Sequence, residues 1–156
     1  MQPISIRVVS AAPAVAATAI VCWQANAGGE LMKFPENFAD GVQYATVNRG
    51  NIREEIFTSR EAIDAVQNGE PIPSGAVITL VDYRDGKLFR YVVMEKHAGW
   101  GADYPPEKRN GEWEFQAFKA DKSVNQNENL DRCFACHKSQ AQQDFVHTFD
   151  RLRSAQ

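Results

Sequence analysis

The chain has 156 residues, enough for one domain with a real core. A hydrophobic share of 44% and a charged share of 24% are those of an ordinary soluble globular protein. The formal charge of -3 gives no basic footprint for nucleic acid, so that class of partner is excluded.

The first residues read as a targeting segment rather than as part of the fold. Arg7 is followed by an apolar, alanine-rich run from Val8 to about Trp23, and Ala25-Asn26-Ala27 offers small residues where a signal peptidase cuts. The run is shorter than the ~20 residues of a membrane span, and Pro13 interrupts it. Residues 1–27 are expected to be a signal peptide and 28–156 the mature domain, exported to the periplasm or beyond, with no stable membrane insertion once the signal is removed. Cys22 leaves with the signal, so the mature chain keeps Cys133 and Cys136.

The mature chain begins with strand-like segments at Val42–Val47 and Ile52–Thr58, around the turn Asn48-Arg49-Gly50-Asn51. Ser59 is placed to cap a short helix, REAIDAVQN, with Ala62, Ile63 and Val66 on one face and Gly69 beyond its end. GEPIPSG is a loop. AVITLVDY and KLFRYVVMEK then flank Arg84-Asp85-Gly86, and Asp-Gly is a strong hairpin signal. Strict alternation would put Leu88, Arg90, Val92, Met94 and Lys96 on one face of the second arm. Phe89, Tyr91, Val93 and Glu95 would then share the other.

A long polar loop, HAGWGADYPPEKRNG, precedes a third strand, EWEFQAFK. From Asn127 the pattern becomes helical: ENLDRCFACHK forms one short helix and AQQDFVHTFDRLR another, with Phe145, Phe149 and Leu152 at helical spacing. The fold class expected is α+β, a predominantly antiparallel β-sheet with short helices. The Cys-x-x-Cys-His motif lies on a C-terminal helix.

That motif carries the chemistry. Cys133 and Cys136 are too close together for a scaffold disulfide to remove much unfolded-state entropy. In Cys-x-x-Cys-His the two thiols can form thioethers with the two vinyl groups of one haem, and the adjacent imidazole, His137, binds the iron. Zinc needs about four ligands, and only His97 and His147 remain as further histidines. A thioredoxin-like dithiol is expected beside a βαβ pattern, which this chain lacks. The expected cofactor is one covalent haem c, with His137 as the metal ligand.

GEPIPSGAVITLVDY, YVVMEKHAGWG followed by GEWEFQAF, and CFACH followed by DFVHTF, in that order, resemble the cytochrome P-460 family, which includes the β-sheet cytochromes c′-β. The resemblance runs from about Phe34 to Phe149. It implies a homodimer whose iron is held by one histidine, with an open distal face. Family members oxidise hydroxylamine or bind nitric oxide and carbon monoxide. Enzymatic members carry a lysine cross-linked to the haem, and the approximate alignment puts Leu80 at its position. No lysine lies between Lys33 and Lys87. The resemblance therefore favours gas binding, nitric oxide first, over hydroxylamine oxidation.

An open iron site binds diatomics, and the polarity around it decides between binding, activation and electron transfer. Phe89, Tyr91, Val93 and Phe115 are candidate cavity walls, with plain core as the alternative. Glu95 and Glu114 are candidate catalytic carboxylates for proton transfer, the role hydroxylamine oxidation would need. Met94 on the iron would instead close the site and make an electron-transfer cytochrome working with a redox partner protein. A core methionine is the alternative for Met94.

Overall fold

Five strands follow one another in chain order and pair with their neighbours as a single antiparallel sheet. They are β1 (Val42–Arg49), β2 (Ile52–Thr58), β3 (Val77–Arg84), β4 (Lys87–Lys96) and β5 (Trp113–Lys119). Helix α1 (Arg60–Gln67) joins β2 to β3, and α2 (Leu130–Lys138) and α3 (Phe149–Arg153) follow the sheet. The fold is α+β, as the sequence pattern indicates. This computed structural model describes residues 32–156, so the expected signal segment lies outside the described residues. Among the described residues no helix is long and apolar enough to cross a membrane.

Local chemistry explains several of these elements. The Ser59 hydroxyl accepts the Ala62 N–H at 3.2 Å and starts α1, whose Ala62, Ile63 and Val66 are buried along one stripe. Asp85 and Gly86 form a two-residue turn between the paired residues Arg84 and Lys87, and both take positive φ, 49° and 74°. That is the mirror-image turn whose twist suits a hairpin.

The sheet has two different faces. Ile56, Ile78, Met94 and Phe115 point to one side and pack with α1, with Phe134 of α2 and with Leu152 of α3. Val81, Tyr91, Val93 and Phe118 point to the other, beneath Met32, Phe34 and Phe38. Phe34 and Phe38 meet the Tyr91 ring edge-on at 4.8 and 5.7 Å.

Two irregularities depart from simple alternation. In the β3–β4 pair, Asp82 opposes Arg90 and Tyr83 opposes Leu88, leaving Phe89 as an extra residue. This bulge reverses the parity near the turn: Leu88 packs with Tyr91 and Val93 rather than with Met94. The bulged Phe89 is 47% exposed, its ring 3.7 Å from the Arg84 guanidinium. In the β1–β2 pair, Tyr44 is the extra residue, between Gln43 opposite Phe57 and Ala45 opposite Ile56.

Tyr44 turns inward and its hydroxyl shares a 2.7 Å hydrogen bond with Thr148, just before α3. Burial pushes this phenol up to about 12, the Thr148 bond offsetting only part of the shift. An unfolded phenol ionises near 10. Between those values the unfolded chain has released a proton that the folded chain keeps, so stability falls as pH rises through that window. Two units of difference amount to about 3 kcal/mol. Tyr44→Phe is expected to flatten this alkaline loss, read by urea unfolding at about pH 9 and about pH 11.

The expected single helix AQQDFVHTFDRLR is broken. A 3₁₀ turn at Ala141–Gln143 and the later α3 are separated by residues 144–148, of which Asp144 and Phe145 take positive φ. Helical periodicity in the side chains did not reveal this break, because side-chain spacing carries no record of a backbone conformation imposed by distant residues.

Candidate haem site

Helix α2 begins after Asn129 and carries Cys133, Cys136 and His137 within just over one turn. Residues three and four apart share a helix face. Phe134, beside His137 on the flank of that face, anchors the helix: it is buried, its ring is 4.8 Å from Phe115, and its carbonyl accepts the buried Asn110 amide at 2.9 Å. Anchoring Phe134 in the core leaves the Cys133–Cys136–His137 face toward a cavity of about 840 Å³ between α2 and the sheet. That volume lies within the ~300–1,000 Å³ typical of cofactor pockets.

The cavity floor is apolar. Ile56, Ile78, Leu80, Val92, Met94 and Phe115 supply it from β2, β3, β4 and β5. Its rim is charged, with Arg49, Arg84, Arg90 and Arg132 beside Glu54 and Glu128. The rim is braced by Asp82, whose buried carboxylate accepts from Arg90 at 3.0 Å and from Arg84 at 3.2 Å. Arg90 reaches Glu128 as well, and Arg49 pairs with Glu54 at 2.6 Å. Both cavity carboxylates therefore already have an arginine.

His137 is held in one tautomer. Its Nδ1 lies 2.7 Å from the Phe145 carbonyl, which can only accept, so Nδ1 carries the proton and Nε2 keeps its lone pair. The ring lies 4.8 Å from Phe115 and 4.9 Å from His147. Burial, followed by His147, holds the imidazole below its ordinary 6.5, against the pull of the Phe145 bond. A neutral imidazole with a free Nε2 is the form that binds a metal. Burial raises the Cys133 thiol, with Glu128 adding to the effect. Cys136 is exposed, its Sγ 3.4 Å from His147 Nε2.

The donor set fits haem better than the alternatives. Among the described residues no group of three or more His, Cys, Asp or Glu side chains converges as a metal site. The all-antiparallel sheet offers no βαβ unit for a thioredoxin-like dithiol. A flat apolar floor, an imidazole with Nε2 free, two thiols on one helix face and a rim of arginines suit a macrocycle with two carboxylates. A family profile for cytochrome P460 matches residues 35–148. The chain belongs to the cytochrome P460 family. No curated protein matches it.

Membership of the cytochrome P460 family makes this a haem-binding cytochrome, and the other singled-out residues can be placed against that site. Leu80 and Met94 line the cavity, as does Phe115. Tyr91 and Val93 do not; they belong to the core on the opposite face. Phe89 is the exposed bulge residue. Glu95 and Glu114 are cross-strand partners, and neither lines the cavity. Each is next in sequence to a cavity residue, Met94 or Phe115, so the pleat turns it away. Glu95 instead meets His97 at 2.7 Å, and the Tyr104 hydroxyl donates to the buried Glu114.

Sequence reading missed three contributors in this cytochrome P460 fold. The Phe145 carbonyl carries no side-chain signature. His147 lines the cavity beside Cys136, and its spacing from the motif gives no warning of that. The Arg84–Asp82–Arg90–Glu128 chain depends on the bulge that brings Arg90 opposite Asp82.

Proposed function

We propose that this chain is an exported, monohaem c-type cytochrome that binds nitric oxide or related small nitrogen oxides at an open distal face. Cys133 and Cys136 would hold one haem through thioethers, and His137 Nε2 would be the axial ligand. The iron, when bound, supplies a vacant coordination position for a diatomic. The observation that carries this reading is the cavity-facing side of α2, with its two thiols and an imidazole whose Nδ1 is already committed to Phe145.

The chain's own residues favour binding over turnover. Ile78, Leu80, Val92 and Met94 keep water away and offer an apolar surface to a small neutral gas. Glu54 and Glu128 are bound to arginines, and Glu95 and Glu114 face elsewhere, so among the described residues no unpaired carboxylate lines the cavity to serve a multi-proton oxidation as base. Arg132, and the N–H groups that Arg49, Arg84 and Arg90 do not spend on their carboxylate partners, would take the propionates. Among the described residues lining the cavity none is a lysine. Lys87 is exposed at the hairpin turn, and Lys96 is occupied by Asp144 and the Ile72 carbonyl. This supports the gas-binding branch over hydroxylamine oxidation. A homodimer and a redox partner that reduces the iron complete the proposal.

One observation favours a second reading. Met94 lines the cavity, and a Met/His pair would make an electron carrier. Met94→Ala separates the two. On the gas-binding reading the variant keeps the absorption spectrum of the parent, and purified protein fails to turn over hydroxylamine with an electron acceptor. A spectrum that changes from six-coordinate to five-coordinate in Met94→Ala would establish the carrier. Hydroxylamine turnover by the parent would establish the enzyme.

A further inference from the structure

The hydrogen bond that orients His137 depends on an unusual piece of backbone. Asp144 and Phe145 both take left-handed conformations, with φ of 48° and 60°. Aspartate tolerates this region, but a bulky phenylalanine there is strained. Such geometry persists only where its surroundings over-determine it.

The surroundings here are specific. Lys96 Nζ donates to Asp144 Oδ2 at 2.7 Å and is itself fixed by the Ile72 carbonyl at 2.9 Å. Trp113, almost fully buried, donates its indole N–H to Asp144 Oδ1 at 3.3 Å. Lys96 and Trp113 are direct cross-strand partners on β4 and β5, so the two donors form one rigid platform. Beyond Asp144, the Phe145 ring closes over Gly111, where a Cβ would lie 2.9 Å from its Cε2. The next atoms along the chain are the Phe145 carbonyl and, 2.7 Å away, His137 Nδ1.

We propose that Asp144, gripped by Lys96 and Trp113, is a positioning residue that holds the Phe145 carbonyl on His137 and thereby sets how strongly the imidazole donates to the haem iron. This rests on His137 being the axial ligand. A well-held Nδ1–H bond makes the imidazole more basic. A more basic ligand favours the oxidised iron and lowers the potential, and second-shell hydrogen bonding is one of the levers on it. Loosening the grip therefore raises the potential.

The test compares Asp144→Asn, Asp144→Ala, Lys96→Met and Lys96→Arg in the haem-loaded protein. Asparagine keeps an acceptor for Trp113 and tolerates the left-handed backbone, so Asp144→Asn removes the charge and the Lys96 bond but leaves the Trp113 bond. The midpoint potential is expected to rise from parent to Asp144→Asn to Asp144→Ala. In Asp144→Ala the oxidised-to-reduced equilibrium is expected to shift about tenfold, which is ~59 mV for one electron. The ferrous iron–imidazole stretching band should fall in the same order, Lys96→Met should behave like Asp144→Asn, and Lys96→Arg should restore most of the parent potential. If Asp144→Ala takes up no haem, Asp144→Asn and Lys96→Met carry the comparison. Unchanged potential and stretching band in these two, whatever their melting temperatures, would overturn the proposal. A parent protein with no iron–imidazole band sensitive to His137→Gly would instead remove the axial ligand itself, and the positioning role with it.

Discussion

A Cys133→Ala, Cys136→Ala double variant, produced in a host that attaches c-type haem, is expected to show no haem stain on a denaturing gel. Each single variant should retain a stain, through one thioether. The two cysteines lie three residues apart on α2, on the side that faces the cavity, and among the described residues no other thiol lines it. His137 and the apolar floor would still bind the macrocycle, but reversibly. A tethered haem that docks in the cavity only when the chain is folded would stabilise it like a ligand at high effective concentration; at about 1,000-fold above its dissociation constant the contribution is about 4 kcal/mol. The double variant purified free of haem should lose that amount relative to the parent, read by urea unfolding. Full haem staining in the double variant would show that the thiols do not attach it.

Gly101→Ala is expected to cost about 3 kcal/mol, at the upper end for overpacking a site that cannot relax by a rotamer change. A Cβ at Gly101 would lie 2.0 Å from the Gly111 carbonyl oxygen and 3.1 Å from its carbonyl carbon. These are backbone atoms, so the loop must move. The Gly101 N–H also donates to Glu112 at 3.0 Å, which ties this turn to the start of β5. Gly111 cannot readily absorb the shift, because its φ is +58° and the Phe145 ring lies over it. The displacement therefore runs toward the segment that holds His137. For a domain of this size, about 3 kcal/mol corresponds to a fall of roughly 10 °C in melting temperature. A loss below about 0.5 kcal/mol, the range of neutral surface changes, would contradict the close approach.

Much of the fold was legible because it arises from local chemistry. Ser59 starts α1 through its own hydroxyl, and Asp85-Gly86 turns the hairpin with two positive φ angles. The motif helix was legible as well: Cys133, Cys136 and His137 sit together on α2 and border the cavity. The order of segments was enough to indicate the family that the profile match confirms.

The features that escaped the sequence did so for identifiable reasons. A bulge adds one residue without any marker in side-chain type, so the parity of β4 near the turn could not be read from alternation. That single extra residue leaves Phe89 exposed and turns Leu88 to the far core. The break between Ala141–Gln143 and α3 was hidden because Phe145 is a poor occupant of the left-handed region by intrinsic preference. Tertiary contacts from Lys96, Trp113 and Gly111 impose it. The acceptor for His137 is a main-chain carbonyl, which every residue type possesses. Glu95 and Glu114 were reasonable acid–base candidates by residue type, yet the pleat carries both away from the cavity.

The open distal face is tested most directly by the reduced absorption spectrum of the haem-loaded protein, recorded before and after adding nitric oxide and carbon monoxide. A five-coordinate, high-spin spectrum that changes promptly with both gases is the predicted result. A sharp six-coordinate, low-spin spectrum indifferent to both would contradict it, and would place an internal ligand such as Met94 on the iron.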